Sequence, residues 1–284
     1  MIQRRIEVVE KEETKQTSPV ILQDIQCPVC SYEEVKNYTL KAKTLPIHHN
    51  IFEVPVYDDN PKYIRLDFNE LQFTVCPICF YTGASKTDFN FHGSLSHTDK
   101  HTETDKRILE YWKQNTQKIK SEFNVPSVNA ESFVNPRTPE AALLSVNLAI
   151  HKASIELGVK IPYSMIKRAH RYVRLFCLNY KYTKTEDLEL LKKAVTDLEE
   201  IFRLSDFPEK PYEFEVCYLI VVCSIKLGDE SKAASFIKVL DQTKAELGLE
   251  SKTNPKVPLQ EITKWSTLAK EVWQNRTDAS IWII

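Results

Sequence analysis

The spacing of apolar residues divides the chain into an N-terminal part with short strands and a longer helical part. In the first part, Val35–Leu40 and Leu71–Val75 are rich in β-branched and aromatic residues, and the second segment alternates at period two. A loop punctuated by Pro46, Pro55 and Pro61 separates the two segments. We therefore expect a small β region at the start of the chain.

The rest of the chain has the period of α-helices. Apolar residues recur there at steps of three and four, which predicts a helix over Asp105–Phe123, a linker over residues 123–136 and six further helices. The fourth of these six is apolar nearly all round from Phe214 to Ile225, so we expect it to be central. The predicted helix ends are marked by Thr138 with Pro139, Gly158, Pro162, a Thr183–Glu186 capping box, Pro211, Gly228 with Asp229, and Pro258.

These elements predict an α+β fold, with a small β head followed by an all-α domain of helical hairpins. We expect a charged lead-in over residues 1–22, the head over 23–104, a helix and linker over 105–137, and the helical domain over 138–284. The turn Leu227-Gly228-Asp229 resembles the joint between tetratricopeptide units, although no regular repeat of about 34 residues is visible. An irregular tetratricopeptide-like stack and a compact bundle therefore both remain open.

The composition favours helices and gives no sign of a polyanionic partner. Only 5 glycines occur in 284 residues, where average usage would give roughly 20. Few glycines leave few sites for turns with positive φ, which disfavours hairpin-rich and Rossmann-like folds. The net charge is -1, so the chain as a whole does not indicate binding to nucleic acid or to an anionic membrane.

No segment has the pattern of a membrane span or of a secretory signal. The longest apolar run, Val216–Cys223, is far shorter than the roughly 20 residues of a spanning helix. The charged residues at the start of the chain are not followed by an apolar stretch. We expect a cytoplasmic protein.

Four of the seven cysteines form two copies of a C-P-x-C unit, Cys27-Pro28-Val29-Cys30 and Cys76-Pro77-Ile78-Cys79. Two intervening residues allow a tight turn to direct both sulfurs at one point, and two such turns supply the four thiolates of a tetrahedral zinc site. We therefore predict that Cys27, Cys30, Cys76 and Cys79 bind one Zn²⁺ and that the head is zinc-ribbon-like. Four protein ligands leave no open coordination position, so the predicted zinc is structural.

The two units are unusually far apart and lack a common residue of such turns. Forty-five residues lie between Cys30 and Cys76 (76 − 30 − 1), against about 15 to 20 in compact ribbons. A loop or extra strands can fill the gap, because closing the longer loop costs only on the order of 1 kcal/mol. Ser31 and Phe80 stand where zinc knuckles often carry glycine. Two unrelated buried pairs and a redox-active dithiol are the alternatives.

The histidines of the N-terminal part are interpreted as surface residues. His92, His97 and His101 follow one another at steps of five and four, which do not place all three on one helix face. Their neighbours are polar, so we expect a solvated loop. We also expect His48 and His49 in a loop.

The other three cysteines lie in apolar helical stretches, where we expect small buried side chains: Cys177, Cys217 and Cys223. The tail Ile281-Trp282-Ile283-Ile284 is unusually apolar. It is expected to dock onto the last helices, and insertion into a partner is the alternative.

Two C-P-x-C units with a long insert and helical hairpins after them resemble an uncharacterised bacterial family, domain of unknown function 2225. The residues that carry the resemblance are Cys27-Pro28-Val29-Cys30 and Val75-Cys76-Pro77-Ile78-Cys79, with Tyr81 two residues later. The resemblance spans about residues 20 to 245. It implies a bacterial cytoplasmic protein with a zinc-ribbon-like head and tetratricopeptide-like helices, and it implies no reaction, substrate or partner.

The sequence contains no catalytic constellation that we recognise, so we expect a non-enzymatic, zinc-stabilised adaptor or scaffold. In this hypothesis the head presents a fixed surface and the stacked helix pairs offer a groove for a protein or peptide partner. The first alternative is nucleic-acid binding, suggested by Phe73, Phe80, Tyr81 and Lys86 around the second cysteine pair. The second alternative is a thiol oxidoreductase that uses the C-P-x-C units.

Overall fold

The computed structural model describes residues 16–89, 104–205, 207 and 209–282. Within these residues, three short antiparallel hairpins precede seven α-helices, which confirms the predicted α+β fold. We call residues 16–89 the head.

Each hairpin of the head consists of two strands. The first pairs β1 (Val20–Ile25) with β2 (Val35–Leu40), the second β3 (Ile47–His49) with β4 (Pro55–Tyr57), and the third β5 (Thr74–Val75) with β6 (Thr82–Gly83). The predicted strand Val35–Leu40 is confirmed. The predicted strand Leu71–Val75 is too long, because Asp67 caps a 3₁₀ turn over Phe68–Glu70 and the amide of Leu71 closes that turn.

The order of the hairpins explains the long gap between the cysteine pairs. Cys27 and Cys30 lie in the turn between β1 and β2, and Cys76 and Cys79 lie in the turn between β5 and β6. The β3–β4 hairpin lies in the insert between them, so extra strands do fill the gap. The two cysteine hairpins adjoin through Thr74 Oγ1, which donates to Asn37 Oδ1 at 2.9 Å.

The helices begin and end close to the predicted residues: α1 Lys106–Glu122, α2 Pro139–Gly158, α3 Ser164–Thr183, α4 Leu188–Leu204, α5 Lys210–Lys226, α6 Glu230–Glu250 and α7 Leu259–Gln274. The side chains of Thr138 and Asp229 cap α2 and α6 as predicted. The predicted Thr183–Glu186 capping box is wrong. Thr183 is the last residue of α3, and Asp187 precedes α4 without a side-chain cap.

Helix α2 separates two hydrophobic cores. One face packs into the core of the helical domain through Ala142, Val146, Ala149 and Ile150. The opposite face packs into a second core that contains the buried cysteines of the head and the apolar side of α1, through Ala141, Leu144, Leu148 and Ile155. The helix therefore contributes to the stability of both parts.

Helix α5 is central, as predicted. It packs against α4, α6 and α7, and its side chains from Val216 to Cys223 are all buried. Cys177, Cys217 and Cys223 are buried, which confirms their interpretation as core residues. None of the described helices has the length and hydrophobicity needed to cross a membrane.

The chain end docks onto the same molecule as far as the structure describes it. Ile281 and Trp282 pack against the helical core, and the Trp282 ring lies 6.1 Å from the ring of Phe52 in the head. The indole nitrogen of Trp282 donates to the carbonyl of Arg276 at 3.1 Å. Ile283 and Ile284 lie outside the described residues.

Candidate metal centre

The two C-P-x-C units form the same turn. In the first, the amide of Cys27 donates to the carbonyl of Tyr32 at 2.8 Å, and the amide of Ser31 donates to the carbonyl of Cys27 at 2.9 Å. In the second, Cys76 donates to Tyr81 at 2.8 Å and Phe80 donates to Cys76 at 2.9 Å. The repeated pattern directs the two sulfurs of each turn to one side.

Both turns close on a residue in the left-handed region. Ser31 has φ 63° and Phe80 has φ 61°, the conformation for which glycine is favoured. The absence of glycine therefore does not change the turn, although each residue carries the steric cost of a side chain at positive φ. The Phe80 ring packs edge-on against Phe133, with 6.0 Å between centroids.

The four sulfurs predicted to bind zinc lie together, all within 4.8 Å of one another. The sulfurs of Cys27 and Cys79 are 3.5 Å apart, and so are those of Cys30 and Cys76. A tetrahedral site with bonds of about 2.3 Å places its sulfurs roughly 3.8 Å apart, so this donor set fits one metal ion. Cys27, Cys76 and Cys79 are buried, and Cys30 is exposed.

The proximity of the sulfurs spreads the pKa values of the thiols. Hydrogen bonds from Cys27 and Cys79 lower the pKa of Cys76 to about 3, and the amides of Cys79 and Ile78 add to this effect. The pKa of Cys27 is raised, first by its hydrogen bond to Cys76 and then by burial. The site therefore already favours one thiolate, and a bound cation would favour the charged form of all four.

A buried tryptophan of α1 holds the second turn in place. Trp112 is fully buried, and its indole nitrogen donates to the carbonyl of Cys79 at 2.9 Å. Its ring meets Tyr81 edge-on at 5.4 Å. The Tyr81 hydroxyl in turn donates to the carbonyl of Asp88 at 2.8 Å, so α1 and the residues after β6 brace the cysteine turn.

A family model described as an uncharacterized protein conserved in bacteria (DUF2225) matches residues 21–257, which contain both cysteine turns and helices α1 to α6. The chain belongs to this family. Comparisons with curated proteins and with solved structures gave no match.

The two histidines of the N-terminal part that the structure describes, His48 and His49, do not belong to the cysteine cluster of this DUF2225 protein. His48 and His49 lie on β3 rather than in a loop, and both are exposed. His48 Nδ1 is 3.0 Å from Asp58 Oδ2. Within the described ranges, the four cysteines are the only group of three or more candidate ligands close enough to hold a metal. His92, His97 and His101 lie outside the described residues.

Sequence reasoning missed a set of buried cations that attach the head to the helices. Lys152 of α2 is 1% exposed, and its Nζ lies 2.6 Å from Asp88 Oδ1. Arg137, two residues before the start of α2 in the chain, is buried. Its guanidinium donates to the carbonyls of Glu70 and Phe73 at 3.0 and 2.8 Å. Burial lowers the pKa of Arg137 to about 10.

Helix α3 adds further cations on the side that faces the head. Lys181 Nζ lies 2.7 Å from Asp67 Oδ2 and 2.6 Å from Glu70 Oε1. Arg174 donates to the amide oxygen of Asn69. In the sequence, these cations are basic residues between the apolar positions of a predicted helix. That pattern alone is typical of a solvated helix face, so it does not predict burial.

Proposed function

We propose that this DUF2225 protein is a non-enzymatic scaffold in which Zn²⁺ fixes the head and the fixed head, together with the helical hairpins, binds a protein or peptide partner. The observation that carries the proposal is the cluster of four cysteine sulfurs within 4.8 Å. Four protein ligands close the coordination shell of a zinc ion, so the metal would act on folding rather than on a substrate.

The choice of zinc follows from the donor set. All four candidate ligands are thiols, without a carboxylate or imidazole in the group. Soft sulfur donors in a tetrahedron select Zn²⁺ or an iron–sulfur centre over Mg²⁺ or Ca²⁺. Two C-P-x-C turns in hairpins are the usual frame of a structural zinc site, so we propose zinc.

A partner surface on the head is supported by strand β1. Its neighbour in the first hairpin is β2, and no described strand pairs with its other edge. Ile21 and Leu22 of this strand are 45% and 50% exposed. An open strand edge with apolar side chains can pair with an extended segment of another protein.

The helical hairpins already bind a protein segment of the same chain, the turn between β3 and β4. Phe52 of the head is 1% exposed and packs edge-on against Phe176 of α3 at 5.4 Å. The hydroxyl of Tyr218 in α5 donates to the carbonyl of Ile51 at 2.8 Å. This contact supports a protein segment as the type of ligand that the helical surface accepts.

The aromatic residues that suggested nucleic-acid binding face inward. Phe73 and Tyr81 are buried, and Phe80 packs against Phe133. Base stacking requires exposed aromatic faces. The observation therefore favours a protein partner over a nucleic acid.

The test is a crosslinking capture from a lysate of the source bacterium, with wild-type protein and two matched leucine variants. Leu22→Asp alters the exposed position on β1, and Leu249→Asp alters a 67% exposed position on α6. We expect Leu22→Asp to lose the captured partner and Leu249→Asp to retain it. Capture that is equal with all three proteins, or absent with the wild type, would contradict the proposal.

A further inference from the structure

A cavity of about 560 Å³ lies between the head and helix α3. The head contributes strand β4 and the residues around the 3₁₀ turn, and α3 contributes one side from Arg174 to Lys181. Sites for small molecules typically have volumes of about 300 to 1,000 Å³. This cavity is separate from the cysteine cluster, whose four residues do not line it.

The walls of the cavity combine apolar side chains with amide and charged side chains. Val54, Val56, Leu66 and Leu178 supply the apolar surface. Tyr57 adds an aromatic ring to the wall. This ring also packs edge-on against Phe68, with 6.1 Å between the ring centroids. Apolar surface beside polar groups that fix the orientation of a ligand is typical of sites that bind organic molecules.

One cation among the charged groups that line the cavity, Arg174, has no direct ion pair within the described residues. Lys181 Nζ lies 2.7 and 2.6 Å from the carboxylates of Asp67 and Glu70, so these three side chains together carry one net negative charge. Arg65 pairs with Asp59 at 3.2 Å, and its side chain is 86% exposed. In the part of the chain that the structure describes, Arg174 forms no salt bridge within 4.0 Å, although the negative charge of Asp67 is close enough to raise its pKa.

The environment of Arg174 disfavours an isolated positive charge. The hydrogen-bond partner of its guanidinium is the neutral side-chain amide of Asn69. Burial lowers the pKa of Arg174 below its usual value. A guanidinium removed from water is stabilised most by an anion that accepts two parallel hydrogen bonds.

We propose that the cavity binds an organic monocarboxylate, whose carboxylate pairs with Arg174 and whose apolar part contacts Val54, Val56 and Leu66. A carboxylate with one negative charge is repelled less by Asp67 and Glu70, which line the same cavity, than a phosphate, which carries close to two negative charges at neutral pH. The proposal does not depend on the zinc site or on a protein partner.

Benzoate and hexanoate are suitable probes, because each joins one carboxylate to an apolar body. Their uncharged amides, benzamide and hexanamide, keep the same shape without the charge. Binding to the full-length, metal-loaded protein is measured by titration, following the methyl NMR signals of Val54, Val56 and Leu66. We expect saturable binding of at least one carboxylate with a Kd of about 10 mM or tighter, and at least tenfold weaker binding of its amide.

Two arginine variants test the position. Arg174→Gln is expected to weaken carboxylate binding at least tenfold, whereas Arg203→Gln, which alters an exposed arginine of α4, is expected to bind like the wild type. Inorganic phosphate is titrated in parallel and is expected to bind more weakly than the carboxylate. The proposal is overturned if neither carboxylate binds saturably, if the amide binds equally well, or if folded Arg174→Gln retains full affinity. If Arg174→Gln fails to fold, the affinities of the wild-type protein for each carboxylate and its amide still test the proposal.

Discussion

In the head the strands have two to six residues, whereas α2 to α7 have 16 to 21 residues each. The head has its own small core of Val20, Tyr38 and Leu71, and it shares its other apolar residues with neighbouring helices. The helical domain encloses α5 on nearly all sides. Isolated two-stranded hairpins are marginally stable in water, so the head requires support that the helices do not.

The support for the head comes from two sources, the four thiols and the contacts with α1, α2 and α3. Both join residues that are far apart in the chain: Cys27 and Cys79 are 52 positions apart, and Asp88 and Lys152 are 64 apart. The helices are specified mainly by neighbours three and four positions away. The comparison shows that local sequence specifies where the helices form, whereas residues far apart in the chain hold the head in place.

Removal of the metal is expected to have the largest effect and to separate the two regions. Structural zinc contributes roughly 10 to 16 kcal/mol of binding free energy at neutral pH, more than the whole stability of many domains. Chelation, or Cys76→Ala, should therefore unfold the head and leave most of the helices folded. We expect about one zinc per wild-type chain by elemental analysis, and limited proteolysis confined to the head after metal loss.

A buried cysteine outside the cluster provides the control for this experiment. Cys223→Ala also removes one buried sulfur, from the helical core, and should retain full zinc content. Wild-type protein that is metal-free and resists proteolysis would refute the structural role of zinc. Simultaneous unfolding of head and helices would instead show that the two regions are one cooperative unit.

Loss of Arg137 is expected to have the second largest effect, because its guanidinium joins the head to the start of α2. Arg137→Met leaves the carbonyls of Glu70 and Phe73 without this donor in a buried position. We expect a loss of about 3 kcal/mol in the free energy of unfolding of the head, measured by urea denaturation. Arg203→Met, at an exposed pair on α4, should change stability by less than about 0.5 kcal/mol. Equal effects of the two variants would argue against a buried link.

Lys152→Met is expected to cost about 2 kcal/mol, since it leaves Asp88 without its buried ammonium partner. Burial alone would raise the pKa of Asp88, but Lys152 outweighs it and the pKa lies below its usual value. The contribution of the pair is thus fully present above about pH 4, the unfolded value, and is lost as the pH falls through the folded value. Urea denaturation between pH 7 and pH 3 should show less acid destabilisation in Lys152→Met than in wild type. Parallel curves would show that Asp88 does not depend on Lys152.

Ser31→Gly is expected to have the smallest effect and the opposite sign. Glycine accepts the φ of 63° at this position without steric cost, so the first cysteine turn should gain about 0.5 to 1 kcal/mol. Thermal unfolding of the zinc-loaded protein measures the gain. Ser31→Ala keeps the side-chain penalty and should not stabilise. A gain in both variants would point to the serine hydroxyl rather than to the backbone.

The sequence was sufficient to predict structure where the residues that determine it are close together in the chain. The side-chain caps at Thr138 and Asp229 were predicted from residues a few positions apart. The Thr183–Glu186 box failed because Thr183 continues α3, where its hydroxyl donates to the carbonyl of Asn179. A capping pattern does not show whether the preceding helix has already ended.

The cysteine cluster was predictable despite its distant members, because thiol pairs at this spacing have few other uses. The buried cations were not. Arg174 meets Asn69 across 105 positions, and a basic residue on an amphipathic helix more often faces solvent. Only the docked head shows which of these side chains are buried.

The position of α2 between two cores restricts how this chain can change. Each residue of an α-helix turns the chain by about 100°, so one inserted residue would rotate every later side chain away from both partners at once. Most surface helices tolerate sequence changes on the face that is exposed to water. Helix α2 has little exposed face, because both of its sides pack against a core. Length changes in natural relatives should therefore collect in the joints on either side of this helix.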